Sequence, residues 1–95
     1  MNLYAIRRRD VWDSAESLQQ TAARSAAVGE EMADDIRWIR SYVVQEDSGK
    51  LGTICIYEGS SAEKVREQAA RSGMPADEVT AVSDTVIIRP DPVAV

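Results

Sequence analysis

The stretch "DDIRWIRSYVV", Asp34 to Val44, gathers the side chains best suited to chemistry in this chain. Trp38, Arg40 and Tyr42 recur at every second position. In a strand that spacing puts them on one face, with Arg37, Ile39, Ser41 and Val43 on the other. A second stretch, "LGTICIYEG", carries Thr53, Cys55 and Tyr57 with the same alternation. The candidate ligand-binding set is therefore Trp38, Arg40, Tyr42, Cys55 and Tyr57. A guanidinium between aromatic rings suits a small planar anionic ligand, because it pairs with a carboxylate or phenolate while the rings supply flat apolar surface. Arg40, Tyr42 and Tyr57 form the expected anchor. The structural account of the same arginine is a pair with a carboxylate of its own chain or of a partner, since a buried unpaired guanidinium is costly.

The remaining reactive groups read as structural. Cys55 is the only cysteine and the chain has no histidine, so no imidazole base exists to activate the thiol. It reads as a small buried hydrophobe. Glu30, Glu31, Asp34 and Asp35 in "GEEMADD" fall four apart in pairs, but without the glycine-shaped loop and oxygen count of a calcium site they read as a solvated acidic end. Arg7, Arg8 and Arg9 read as the solvated continuation of a strand, with Arg7 the one able to share a face with Arg40. Trp12 sits where a hydrophobic staple would pack on a first helical turn, and Ser14, Ser17, Ser60 and Ser61 have capping positions with no nucleophile-elbow context. No catalytic residue, metal ligand or cofactor is assigned.

The elements that must position these groups follow from the local pattern. "NLYAIRRR" suits a first strand from about Leu3 to Arg8. Asp13 with Glu16 has capping-box spacing, and the stripe Leu18, Ala22, Ala26 or Ser25, Gly29 and Met32 or Ala33 predicts a helix to about Ala33. "IRWIRSYVVQ" and "LGTICIYEG" predict a hairpin across "EDSGK", whose glycine can take a positive φ. Ser60 with Glu63 makes a second box, and Ala62, Val65 and Ala69 predict a second helix from about Ser61 to Ser72, with Gly73 as the C-cap glycine. "MPADEV" allows one helical turn starting at Pro75. "TAVSDTVIIRP" predicts the last strand, and 91–95 a loose tail. The order β-α-β-β-α-β is the ferredoxin-like, α+β arrangement: a four-stranded antiparallel sheet with both helices on one face, the other face bare.

Alternation then sorts the hairpin. Ile39, Val43, Ile54 and Ile56 are uniformly aliphatic and are expected under the helices, leaving Trp38, Arg40, Tyr42, Thr53, Cys55 and Tyr57 on the open face. The alternative is a parity slipped by one, or a β-bulge that turns part of the strand over. A bare patch holding a Trp and two Tyr exceeds what monomers usually expose, so a partner or ligand is expected there.

Composition sets the outer limits. Ninety-five residues make one domain, 1–95, at 44% apolar and 28% charged, an ordinary globular balance. No apolar run approaches the ~18 residues of a membrane span, and "MNLYAIRRRD" reverses the charge order of a signal peptide. A cytoplasmic location without membrane partners is expected. The net charge of −5 repels phosphate backbones, so nucleic acid is not expected as a partner.

"RWIRSYV" and "CIYEGSSAEKVREQAARSGMPADEV" resemble the bacterial family catalogued as domain of unknown function 4242, also described as nickel-binding-protein-like. The residues carrying the resemblance are Arg37, Trp38, Ser41, Tyr42, Cys55, Tyr57, Glu58, Ala69, Gly73, Pro75 and Asp77. It implies a ferredoxin-like fold and a homodimer; with the open sheet face expected as the contact, the assembly is of the dimeric α/β-barrel type. Nickel-binding members use histidines, and relatives carry them near the positions of Arg40 and Gln68, where this chain has none. Nickel is therefore expected to bind weakly or not at all. The function expected is that of a small dimeric ligand-binding or regulatory protein. The alternative is a small enzyme of the same barrel type, monooxygenase, isomerase or cyclase-like, acting on an aromatic substrate with Arg40, Tyr42, Tyr57 and Glu58 as the available participants.

Overall fold

Two serines set where the helices begin. Ser14 Oγ accepts from the backbone N–H of Ser17 at 3.2 Å, and Ser61 Oγ accepts from that of Lys64 at 3.2 Å. Each satisfies an orphan donor of the first turn. Both caps fall one residue after the positions that the box spacing singled out.

In the computed structural model, which describes residues 1–74 and 76–92, the elements run β1 Asn2–Trp12, α1 Ala15–Glu31, β2 Ile36–Gln45, β3 Leu51–Gly59, α2 Ala62–Arg71 and β4 Glu78–Ala81. The strands form one antiparallel sheet in the order β2-β3-β1-β4, so the fold is the expected α+β, ferredoxin-like β-α-β-β-α-β. The hairpin turns at Gly49, whose φ of 91° needs a residue without a Cβ, and α2 ends at Gly73, φ 77°. There the N–H of Met74 reaches back to the Ala69 carbonyl at 3.0 Å. Of the helical turn expected from Pro75, that residue lies outside the described residues, and the positions after it are not helical: Ala76 and Asp77 are irregular and β4 begins at Glu78.

The core lies between the sheet and the helices. Tyr4, Ile6, Met32, Ile36, Cys55, Tyr57 and Val65 are buried there, with Val28, Trp38 and Val79 packed against them. Two expectations about the sheet are corrected. First, Cys55, Tyr57 and Thr53 face the helices, while their neighbours Ile54 and Ile56 face the open side. Second, β2 switches faces partway along. Trp38 pairs with Tyr57, but Arg40 pairs with Ile56, so two residues of β2 span one of β3. The β-bulge at Ile39 leaves Trp38 on the helix side and turns both Ile39 and Arg40 outward. Beyond it Ser41 and Val43 face inward with Cys55 and Thr53, and Tyr42 faces outward with Ile54.

The final strand is much shorter than "TAVSDTVIIRP" suggested. After β4 a last backbone bond joins the Val82 N–H to the Leu3 carbonyl at 2.9 Å, and the chain then leaves the ladder. Its 85–91 segment lines a groove with Leu3 of β1, Ile56 of β3 and Ile39, Arg40 and Tyr42 of β2, so the open face is partly overlaid by the chain's own arm.

Ile6, fully buried at the centre of the sheet, tests this core. Ile6→Ala should lower the unfolding free energy by about 2–5 kcal/mol in urea denaturation followed by tryptophan fluorescence.

Candidate functional site

The five candidate side chains do not form one site; the sheet separates them. Arg40 and Tyr42 stand on the open face, whereas Trp38, Cys55 and Tyr57 lie on the helix side.

On the open face, Arg40 Nη1 donates to Asp91 Oδ2 at 2.7 Å, and the Tyr42 hydroxyl donates to the same oxygen at 2.7 Å. All three side chains are exposed. The Tyr42 hydroxyl and the Arg40 guanidinium hold the Asp91 carboxyl below the usual carboxylate range. The arm is thereby tethered at its far end to β2. Between arm and sheet runs a groove of about 720 Å³, walled by Leu3, Ile39, Ile56, Val86, Ile87 and Ile88. Val86, Ile87 and Ile88 remain 82%, 74% and 81% exposed, so the arm bridges this face without packing onto it. Asp91 opened the stretch read as a loose tail; residues 93–95 of that tail lie outside the described residues.

On the helix side, the Tyr57 ring stacks on Trp38 with centroids 5.8 Å apart and planes 1° from parallel. Its hydroxyl meets Ser25 Oγ of α1 at 3.1 Å, and Gln68 Nε2 of α2 donates to that same oxygen at 2.9 Å. Burial raises the Tyr57 phenol above its ordinary value. Cys55 Sγ accepts from Ser41 Oγ at 3.0 Å and faces Arg8 Nη1 at 3.9 Å. Arg8, Trp12, Leu18, Val43 and Thr53 are among the residues that complete the wall of a small cavity of about 50 Å³ beside these groups.

Arg8 is the residue that sequence reading missed. It was read as a solvated continuation of the strand, but it is only 7% exposed. A signal was present: Tyr4, Ile6 and Arg8 alternate, so whatever buries the first two carries Arg8 to the same face. Arg7, on the opposite face, is paired with Glu46 at 2.8 Å. Glu58 likewise faces the open side and meets Arg37 at 3.4 Å. The acidic end at Glu30, Glu31 and Asp34 is exposed, and no cluster of three or more Cys, Asp or Glu side chains placed to hold a metal occurs among the described residues.

The Asp91 tether carries a pH dependence. Because the folded carboxyl titrates lower than a free one, the tether is fully present above the ordinary aspartate range, near ~4, and is lost as pH falls through the lowered value. The amide shifts of residues 85–92 should therefore move together on acidification. At neutral pH, Asp91→Asn should speed thermolysin cleavage within Thr85–Ile88 several-fold while leaving the thermal midpoint of the domain unchanged.

Comparison with known proteins agrees with this geometry. The crystal structure of SCO4226 from Streptomyces coelicolor A3(2) superposes with a TM-score of 0.71 at 22% identity, covering 88% of this chain and 99% of that one. It shares the fold. No curated protein is similar enough to count as a match. The sequence model of a family described as nickel responsive protein SCO4226-like matches residues 4–82, from within β1 to just past β4, in coarse agreement with the nickel-binding-protein-like resemblance read from the residues. The chain belongs to the SCO4226-like family of nickel-responsive proteins.

Proposed function

We propose that this protein is a small ligand-binding protein with a regulatory role, working as a homodimer through its open sheet face. The observation that carries the assembly is the run Val86, Ile87 and Ile88, three consecutive β-branched side chains each at least 74% exposed above an apolar groove. Monomers rarely leave such a strip in water. A second copy is the fitting occupant, because a two-fold contact sets the aliphatic arm of each protomer against the aliphatic strip of the other. The family description, nickel responsive, supports a regulatory rather than a catalytic role. The helix-side cavity, on the other side of the sheet from the assembly face, supplies the place for a ligand. No helix among the described residues is long and apolar enough to cross a membrane.

Direct nickel coordination does not fit the residues present. The chain lacks histidine, and its one thiol sits beside the Arg8 guanidinium, whose positive charge opposes a divalent cation. The carboxylates in ion pairs, Glu46, Glu58, Glu78 and Asp91 among them, lie away from that thiol. In this reading any response to nickel passes through another ligand or partner.

Light scattering at micromolar concentration should show a dimer, and Ile87→Asp or Ile39→Glu should raise its dissociation constant by at least about tenfold, since each buries a charge in the contact. A monomeric wild type would overturn the assembly. Calorimetry with nickel at neutral pH should give no stoichiometric submicromolar site; a tight isotherm abolished by Cys55→Ser would reverse that part of the reading.

A further inference from the structure

Arg8 and Thr53 are direct cross-strand partners in the β1–β3 ladder, and both point to the helix side. They are 7% and 5% exposed. Each leaves a polar atom without a hydrogen-bond partner, Nε of Arg8 and Oγ1 of Thr53. Opposed residues on one face of an antiparallel pair stand only ~5 Å apart at Cβ, so the two side chains start out side by side on the same face. Both line the cavity of about 50 Å³. The other guanidinium nitrogens are weakly engaged: Nη2 donates to the Met74 carbonyl at 3.2 Å, and Nη1 faces Cys55 Sγ at 3.9 Å. None of the ion pairs among the described residues includes Arg8, although Arg7 and Arg9 beside it each hold a glutamate. A buried cation with no counter-charge is costly to keep, and the missing charge is that of an anion.

We propose that this cavity is a binding site for a small carboxylate anion with a short aliphatic stem. The inference rests on the reading of the chain as a ligand-binding protein and names the ligand class. The carboxylate accepts from Arg8 Nε and from the Thr53 hydroxyl, a charge-assisted arrangement that satisfies both orphan donors. The stem lies against Trp12, Leu18, Trp38 and Val43, which make the rest of the wall apolar. Size limits the choice. One water needs about 10–15 Å³ of such volume, so the cavity of about 50 Å³ holds roughly three to five heavy atoms, the size of acetate or propionate, and a longer chain would have to reach out past Val43. Val43, 52% exposed at the edge of β2, marks the side from which a ligand enters.

The chain has two tryptophans, Trp12 and Trp38, and both line this cavity, so intrinsic fluorescence reports directly on its contents. The full-length protein is titrated with sodium acetate, propionate and butyrate against sodium chloride at constant ionic strength, and in parallel with the matching neutral amides. The expected result is a saturable change with the carboxylates that chloride does not reproduce. Arg8→Met, which keeps an apolar stem and removes the charge, should weaken it by more than about tenfold, as loss of a charge-assisted bond implies. Thr53→Val, nearly isosteric, should weaken it less and keeps the test open if the Arg8 variant fails to fold. A saturable response to the amides but not to the carboxylates overturns the anion assignment while leaving a ligand-binding protein. No saturable response to either class overturns the site at this cavity, and the broader ligand-binding reading is then decided by native mass spectrometry of the purified protein for a co-purified small molecule. A carboxylate response unchanged in Thr53→Val and Arg8→Met places the ligand elsewhere and also overturns the proposal.

Discussion

The phenol of Tyr57 is the point at which every layer of this fold meets. Its ring stacks on Trp38 of β2, its hydroxyl bonds to Ser25 of α1, and through that serine it is joined to Gln68 of α2. A buried hydroxyl left without a partner costs about 1–3 kcal/mol, so the helices must come close enough to provide one. They do so with Ser25 of α1, which meets the phenol directly, and Gln68 of α2, which is joined to it through that serine; a larger side chain than serine at position 25 would hold the layers apart. The position of the helices is thus set by hydrogen-bond satisfaction as much as by apolar area. Gly59 adds to this, since a Cβ there would come within 2.8 Å of Val65.

Placing Tyr57 inward decides the rest of β3. Cys55 and Thr53 must follow it, and Ile54 and Ile56 must face away, although by hydropathy alone the isoleucines are the better core residues. The aliphatic surface becomes available for assembly. The bulge at Ile39 then separates two functions within one strand: before it, Trp38 completes the stack on Tyr57; after it, Arg40 and Tyr42 reach the open face and hold the C-terminal arm through Asp91.

The same sheet handles two arginines in opposite ways. Arg40 is exposed and paired with a carboxylate, a contact that solvent screens and that adds little to the stability of the domain. Arg8 is buried and takes part in none of the ion pairs among the described residues. A guanidinium kept in a low-dielectric site without compensation is poor design for stability alone, and perturbation of that kind concentrates at places where a protein meets a ligand.

Element order was legible in the residues because its signals are local. The serine caps, the Asp-Ser-Gly turn with Gly49, the stop at Gly73 and the β-branched strands each act over a few positions, and together they determine the ferredoxin-like sequence of elements. The pairing of faces was legible only in part. Period-two alternation assumes an unbroken strand; Arg40, Tyr42 and Val43 lie on the faces it gave them, but the extra residue at Ile39 puts Trp38 under the helices and Ile39 outside, and nothing in the identity of an isoleucine marks it as a bulge. Hydropathy also misjudged β3, because it ranks a tyrosine below an isoleucine for burial without knowing that Ser25, 32 residues away in the chain, would accept or donate at its hydroxyl. The fates of Arg8 and Arg40 depended on the same long-range facts. Tertiary structure alone decided which arginine met a carboxylate, because that partner, Asp91, is 51 residues from Arg40 and reaches it only when the arm crosses the sheet.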